Sequence, residues 1–161
     1  MTFRIATLDE MHLFQAAQLW NNGWHEAHAK IVPSKLVALR TIESFKRRLK
    51  DDTVYPRVCI QDDEVLGLCI TRENELYQIY VSPKARGRGV APALMMDAES
   101  SLLETGYLSA WLACAMGNDQ AARFYKKSGW HNTGERTVEL ETSQGAFSLK
   151  VWKFVKSLRH L

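Results

Sequence analysis

The chain is expected to fold as one α/β (α+β) domain, residues 1–161, around a central mixed sheet flanked by helices. Three observations predict this. Segments of strand-like and helical apolar spacing follow one another in the order β, α, α, three strands, α, β, α, β, β. At 161 residues the chain can bury a core without disulfide or metal staples. Its apolar share of 46% and charged share of 24% are ordinary for a globular protein. No internal repeat, low-complexity segment or linker divides it.

Residues 3–7, FRIAT, read as a short strand. Asp9 then offers an N-cap to a helix carrying Leu13, Ala16, Ala17, Trp20 and Trp24 at helical spacing, with Gly23 marking fraying or a turn near its end. Pro33 breaks the pattern. A second helix is expected from about Leu36 to Lys50, with Ile42, Phe45 and Leu49 on its apolar face. Lys46, Arg47, Arg48 and Lys50 fall mostly off that face and read as its solvated side.

After Asp51 and Asp52 the period changes. VYPRVCIQ and EVLGLCITRE are strands joined by a hairpin turn at Asp62-Asp63. ELYQIYVS, starting at Glu75, carries apolar residues on both sides and predicts a strand covered on both faces. A helix follows to about Thr105, with Ala91, Leu94, Met95, Ala98 and Leu102 on one face, Pro92 in its first turn and Gly106 at its C-terminal cap. LSAWLACA reads as a buried strand. Asn118 or Asp119 caps a short helix through Lys127, closed by Gly129, and two last strands, about 130–140 and 146–155, are linked by ETSQG.

The chemistry concentrates where the strand from Glu75 meets the helix after it. VSPKARGRGVAPALMM, residues 81–96, places Lys84, Arg86 and Arg88 with Gly87 and Gly89 on that junction. Glycines let the chain turn tightly and bring N–H groups close to a ligand, and a helix start aims further N–H groups and partial positive charge at the same point. The pattern predicts an anion site, most simply for phosphate. The P-loop string of Gly, four residues and Gly-Lys-Ser/Thr is absent. A dinucleotide fingerprint through Gly87 and Gly89 would put Pro92 at its third glycine position, and several strands precede it where one should.

The run Arg86-Gly87-Arg88-Gly89-Val90-Ala91 resembles the Q/R-x-x-G-x-G/A acyl-CoA signature of the GCN5-related N-acetyltransferase (GNAT) family. Downstream, NDQAARFYKKSGW, residues 118–130, resembles that family's N-x-x-A-x-x-F-Y-x-x-x-G-F/W segment, one helix and one strand further on. The resemblance covers nearly the whole chain and is specific over residues 75–130. It is weak over residues 1–50, where acceptor specificity usually resides in the family. It implies a mostly antiparallel twisted sheet with a splayed strand pair at the acyl-CoA site, and acetyl-CoA as the acyl donor.

What the resemblance implies for single residues can be set beside their own chemistry. N–H groups of Arg88 to Ala91 would cradle the pyrophosphate, with charge from Arg86, Arg88 and Lys84. A bulge at the end of strand Glu75–Val81 would splay it from strand 108–114, and backbone groups near Ile79, Tyr80 and Val81 would meet the pantetheine arm. Asn118 serves as a helix cap or as a donor to that arm. Tyr125 is the implied acid at the cofactor sulfur, while Phe124 packs in the core. Glu75 is the candidate base, since partial burial raises a carboxyl toward neutrality. His25 and His28, three apart, are alternative bases or substrate contacts, with surface histidines as the plain reading. Trp20, Trp24 and Tyr77 could wall the acceptor pocket, although two tryptophans at helical spacing are more often core.

The predicted function is transfer of acetyl from acetyl-CoA to a primary amine by direct attack in a ternary complex. A small-molecule amine is the expected acceptor, with a protein or peptide amine, or a non-catalytic acyl-CoA-binding sensor, as alternatives. A net charge of +3, from 21 Lys and Arg against 18 Asp and Glu, is too small to predict nucleic-acid binding. The basic stretches Lys46–Lys50 and Lys150–Arg159 lack interleaved exposed aromatics. No metal is expected. Cys59, Cys69 and Cys114 are odd in number, far apart and strand-borne, so they read as buried reduced thiols of a cytoplasmic protein. No apolar run approaches membrane-spanning length and no apolar leader follows a basic start. Phe147, Leu149, Val151 and Trp152 late in the chain predict a sheet edge through which a homodimer could pair.

Overall fold

A computed structural model describes residues 2–159. Seven strands, β1 (Arg4–Thr7), β2 (Tyr55–Gln61), β3 (Glu64–Arg72), β4 (Glu75–Val81), β5 (Ser109–Ala115), β6 (His131–Thr142) and β7 (Gly145–Ser157), form one mixed sheet in the order β1-β2-β3-β4-β5-β7-β6. Only β4 and β5 run parallel, joined by the crossover helix α4 (Val90–Thr105); every other neighbouring pair is antiparallel. Alternation along the strands divides the core in two. Cys59 and Cys69 pack with Leu94, Met95 and Leu102 of α4 and with α5 (Asp119–Lys127), whereas Val58, Ile60, Leu68 and Ile70 pack on the other face. There they meet α1 (Leu13–His28), α2 (Ser34–Leu39) and α3 (Ile42–Leu49).

Asp9 does cap the first helical segment, accepting from the His12 N–H at 3.0 Å, but a 3-10 turn over Glu10–His12 precedes α1. Gly23 neither frays nor turns the helix. A Cβ there would stand 2.6 Å from Cδ1 of Tyr80, so the glycine lets the β4 ring press against the α1 backbone.

The expected second helix is two. Arg40 leaves helical geometry (φ −91°, ψ 85°), and Thr41 opens α3 with a capping box. The Thr41 Oγ1 accepts from the Ser44 N–H at 3.2 Å and the Ser44 Oγ accepts from the Thr41 N–H at 3.0 Å. Arg40 is drawn inward as the chain breaks: only 3% exposed, it donates from Nη1 to the Glu141 carbonyl at 2.7 Å. Arg48, expected on a solvated side, instead lies 4.4 Å above the ring of fully buried Trp20. Its aliphatic stem and flat head suit an aromatic wall.

The Asp62-Asp63 turn adopts φ of 50° and 59°, the left-handed geometry of a two-residue hairpin. The last two strands are longer than expected and meet at Thr142 and Gly145. Residues 146–155 do not supply a sheet edge. β7 lies between β5 and β6, because the parallel crossover leaves the far side of β5 open and β7 covers it from Ser109 to Ala115. The sheet edges are β1 and β6.

Candidate functional site

β4 and β5 share one register pair, Glu75 with Trp111, reinforced by the Trp111 N–H donating to the Asn74 carbonyl at 3.2 Å. Beyond it the two strands separate. A bulge contributes: Thr71 pairs with Leu76 and Ile70 with Gln78, so Tyr77 is the extra residue. It falls third in the strand, not at its end. A cavity of about 490 Å³ occupies the gap. Its wall runs along Glu75–Val81 of β4, Ala113–Ala115 of β5 and Asn118–Tyr125 around α5, with α1 and the β6–β7 hairpin closing the other side.

At one end lies the turn into α4. Gly87 and Gly89 take φ of 76° and 82°, and a Cβ at either would meet nothing within 4 Å. The glycines are therefore needed for backbone conformation, not for room. Gly89 caps α4 without a side-chain acceptor, and among the described residues the N–H groups of Gly87 to Ala91 have no intramolecular partner. Unpaired donors at a helix start make a ready anion cradle. Arg86 and Ala91 line the cavity; Gly87, Arg88, Gly89 and Val90 form the turn beside it, with the Val90 side chain buried in the core. Each cation of the junction is engaged by a neighbour. Lys84 pairs with Glu64, Arg86 with Glu26 of α1 at 3.0 Å, and Arg88 donates to Gln61 Oε1 at 2.5 Å.

Asn118 and Tyr125 both line the cavity. Asn118 Oδ1 accepts from the Ala121 N–H at 3.4 Å, a long capping bond, and among the described residues its amide nitrogen has no partner. Tyr125 packs against Phe124 and Phe154, each ring centroid 5.7 Å away and tilted by 56°, and its carbonyl takes the Trp130 N–H at 2.9 Å. Among the described residues its hydroxyl has no hydrogen-bond partner. Burial pushes that phenol well above its ordinary range, so it stays protonated. Phe124 joins the core and the cavity wall alike. Cys114, also lining the cavity, is 3% exposed and burial pushes its thiol up to about 12. Burial raises Cys69 and Cys59 too, so none of the three supplies a ready thiolate.

Glu75 lies at the other end, 7% exposed, with desolvation raising its carboxyl against the pull of Arg72. Arg72 donates to Glu75 Oε1 from Nη2 at 3.0 Å and lies 4.0 Å above the Tyr77 ring. Tyr77 accepts at its hydroxyl from Arg48 Nη2 at 2.6 Å. Trp24 and His28 line the wall from α1, and Ile79, Tyr80 and Val81 line it from β4. Burial lowers His28, whose Nδ1 meets the Trp24 carbonyl at 2.8 Å; it is a neutral ring at the cavity. His25 is not on the wall. Its Nε2 donates to the Arg40 carbonyl at 2.6 Å, tying α1 to the break between α2 and α3. Sequence reasoning missed Arg72 and Arg48. The Glu73-Asn74 turn was a usable signal for Arg72, since it sets Arg72 opposite Glu75; for Arg48 there was none.

Among the described residues no cluster of His, Cys, Asp and Glu could hold a metal ion, and no helix is long and apolar enough to cross a membrane. The model of the Acetyltransferase (GNAT) family matches residues 16–130. Two curated relatives, N-acetyltransferases of Mycobacterium bovis and Mycobacterium tuberculosis whose names call them uncharacterized, are each 38% identical over 69 residues, 43% of this chain. The match spans 44% of those relatives' length. Among solved structures, PaiA N-acetyltransferase from Thermoplasma acidophilum in complex with coenzyme A superposes with a TM-score of 0.73 at 16% identity, covering 98% of this chain and 99% of that one. The ribosomal-protein-S18-alanine N-acetyltransferase from Escherichia coli gives 0.71 at 18% identity, covering 99% and 96%. At such identities the likeness shows the fold.

Proposed function

This chain belongs to the GNAT acetyltransferase family, and on that premise we propose that it transfers acetyl from acetyl-CoA to the primary amine of a small molecule, acting as one acetyltransferase domain. The observation that carries the reading is the parting of β4 from β5 after one register pair, beside a helix start with five free N–H groups. These residues fit an acyl-CoA. The turn Gly87 to Ala91 and Arg86 would hold phosphates, and the open edge of β4 around Ile79 to Val81 would take the amides of a pantetheine arm as an added strand does. When bound, acetyl-CoA supplies an activated thioester and a thiolate leaving group.

The chain's own groups do the rest. Glu75, its carboxyl raised by burial, takes the proton that makes the acceptor amine nucleophilic, directly or through water. Tyr125, protonated and without an internal partner, presents its hydroxyl in the cavity to donate to developing negative charge on sulfur. The high thiol of Cys114 disfavours an acyl-cysteine route and favours direct attack in a ternary complex. Trp24, His28, Tyr77 and the β6–β7 hairpin would enclose the acceptor. We place the enzyme in the cytoplasm, on three free buried cysteines.

Two measurements test this together: thermal stabilisation by CoA, which only the folded site can bind, and release of free CoA thiol over a panel of amines, amino acids and peptides. Stabilisation with turnover of a small amine supports the reading. Stabilisation without turnover on any acceptor would make the protein a sensor, and the absence of both stabilisation and turnover would overturn the proposal.

A further inference from the structure

In the β3–β4 hairpin, Arg72 stands directly opposite Glu75, and opposed side chains on one face of an antiparallel pair lie within reach of each other. The guanidinium uses that register on one oxygen alone. Nε and Nη2 donate to Glu75 Oε1 at 3.3 and 3.0 Å, and no protein donor among the described residues reaches Oε2. Glu75 lines the cavity, so Oε2 is the oxygen left to it.

Arg72 is itself held. Its head rests on the Tyr77 ring at 4.0 Å, the Tyr77 hydroxyl takes Arg48 Nη2 at 2.6 Å, and Arg48 lies on buried Trp20 at 4.4 Å. Tyr77 is the bulged residue, so the same stack that fixes the guanidinium also fixes the kink beside the proton acceptor. A surface ion pair needs no such scaffold.

We propose that Arg72 is a positioning residue for Glu75, gripping one carboxylate oxygen so that the other is aimed at the acceptor amine. The proposal rests on the reading of Glu75 as the proton acceptor. It also gives Arg72 an electrostatic part. Desolvation pushes Glu75 up and Glu73 in the hairpin turn pushes the same way, while Arg72 opposes both. Other charges face the pair from further off: Arg48 of α3 behind Tyr77, Glu141 of β6 near Arg72, Glu139 in the cavity wall, and Lys153 of β7 over the Trp111 ring at 5.1 Å. Among the described residues only Arg72 touches the carboxylate.

Replacing Arg72 with Met keeps a stem on Tyr77 and removes the cation. The sign follows: without the cation Glu75 protonates at higher pH, so the acid limb of kcat/KM moves upward by at least about one pH unit. Along the acid limb kcat/KM at a given pH should fall by about tenfold, one pH unit of lost ionisation, and acetyl-CoA affinity should stay within about twofold. Arg72→Lys should return the limb most of the way. In a Glu75→Gln background, Arg72→Met should move no limb at all.

Carboxyl 13C titration of glutamate-labelled protein, with Glu75 assigned through Glu75→Gln, reads the same shift without any acceptor. A Glu75 titrating at one pH in wild type and Arg72→Met would overturn the proposal, as would superposable pH profiles with only a lower melting temperature. Wild type that turns over no amine would instead sink the proton-acceptor reading beneath it, and the carbon titration tells the two failures apart.

Discussion

Tyr125→Phe separates chemistry from packing at the floor of the cavity. The substitution removes one oxygen and keeps the ring between Phe124 and Phe154, and the carbonyl bond from the Trp130 N–H is untouched. Since the hydroxyl has no internal partner, no bond worth about 1 kcal/mol is lost and no buried group is orphaned. Stability should therefore change by no more than about 0.5 kcal/mol, which is about 2 °C in Tm for a chain of this size. Acetyl-CoA affinity should hold. Turnover should fall by about 10²-fold if proton donation to sulfur limits the rate, equivalent to about 2.7 kcal/mol of barrier. Three readings on one preparation decide it: melting temperature, CoA binding by calorimetry, and single-turnover thiol release. Full turnover per folded molecule, with a Tm lowered by several degrees, would refute the reasoning and make Tyr125 a structural ring.

Further expectations follow from the same geometry. Glu75→Gln should abolish the acid limb of the kcat/KM profile with little change in acetyl-CoA binding; activity equal to wild type at every pH would dismiss Glu75. The same variant should gain stability relative to wild type as pH rises. A raised carboxyl binds its proton more tightly folded than unfolded, so wild type loses stability from about the unfolded value near 4.3 upward through the folded one; parallel denaturation curves at pH 5 and 8 would contradict this. Gly89→Val forces a β-branched residue to φ of 82° at the start of α4, and should weaken CoA binding by at least about tenfold at the cost of a strained turn; unchanged CoA affinity in folded protein would remove the phosphate site from that turn. We expect a homodimer, now through the exposed β6 edge, and sedimentation showing only monomer at micromolar concentration would rule against it.

What could be read in the sequence was what depends on neighbours in the chain. The glycine turn before α4, the cap at Asn118 and the strand parity of Glu75 and Tyr77 are local facts, visible in spacing. Contacts across the fold were not. Arg48 sits among lysines and arginines and looks solvated, yet α3, which opens only after the break at Arg40, lays the Arg48 guanidinium over Trp20. Gly23 looks like a helix fault until Tyr80 is placed against it. The place of β7 inside the sheet follows from pairing choices that apolar alternation alone does not rank.

The single pair joining β4 to β5 makes the sheet two leaves of a book. β1 to β4 form one continuous ladder and β5 to β7 another. The spine is Glu75 with Trp111, bridged behind by α4 and in front by the β6–β7 hairpin, whose Glu141 carbonyl accepts from Arg40. Amides along the parted edges are therefore expected to exchange with water through small openings of the book, ahead of global unfolding. A ligand seated between the leaves would join them, and its affinity would include the cost of ordering one against the other.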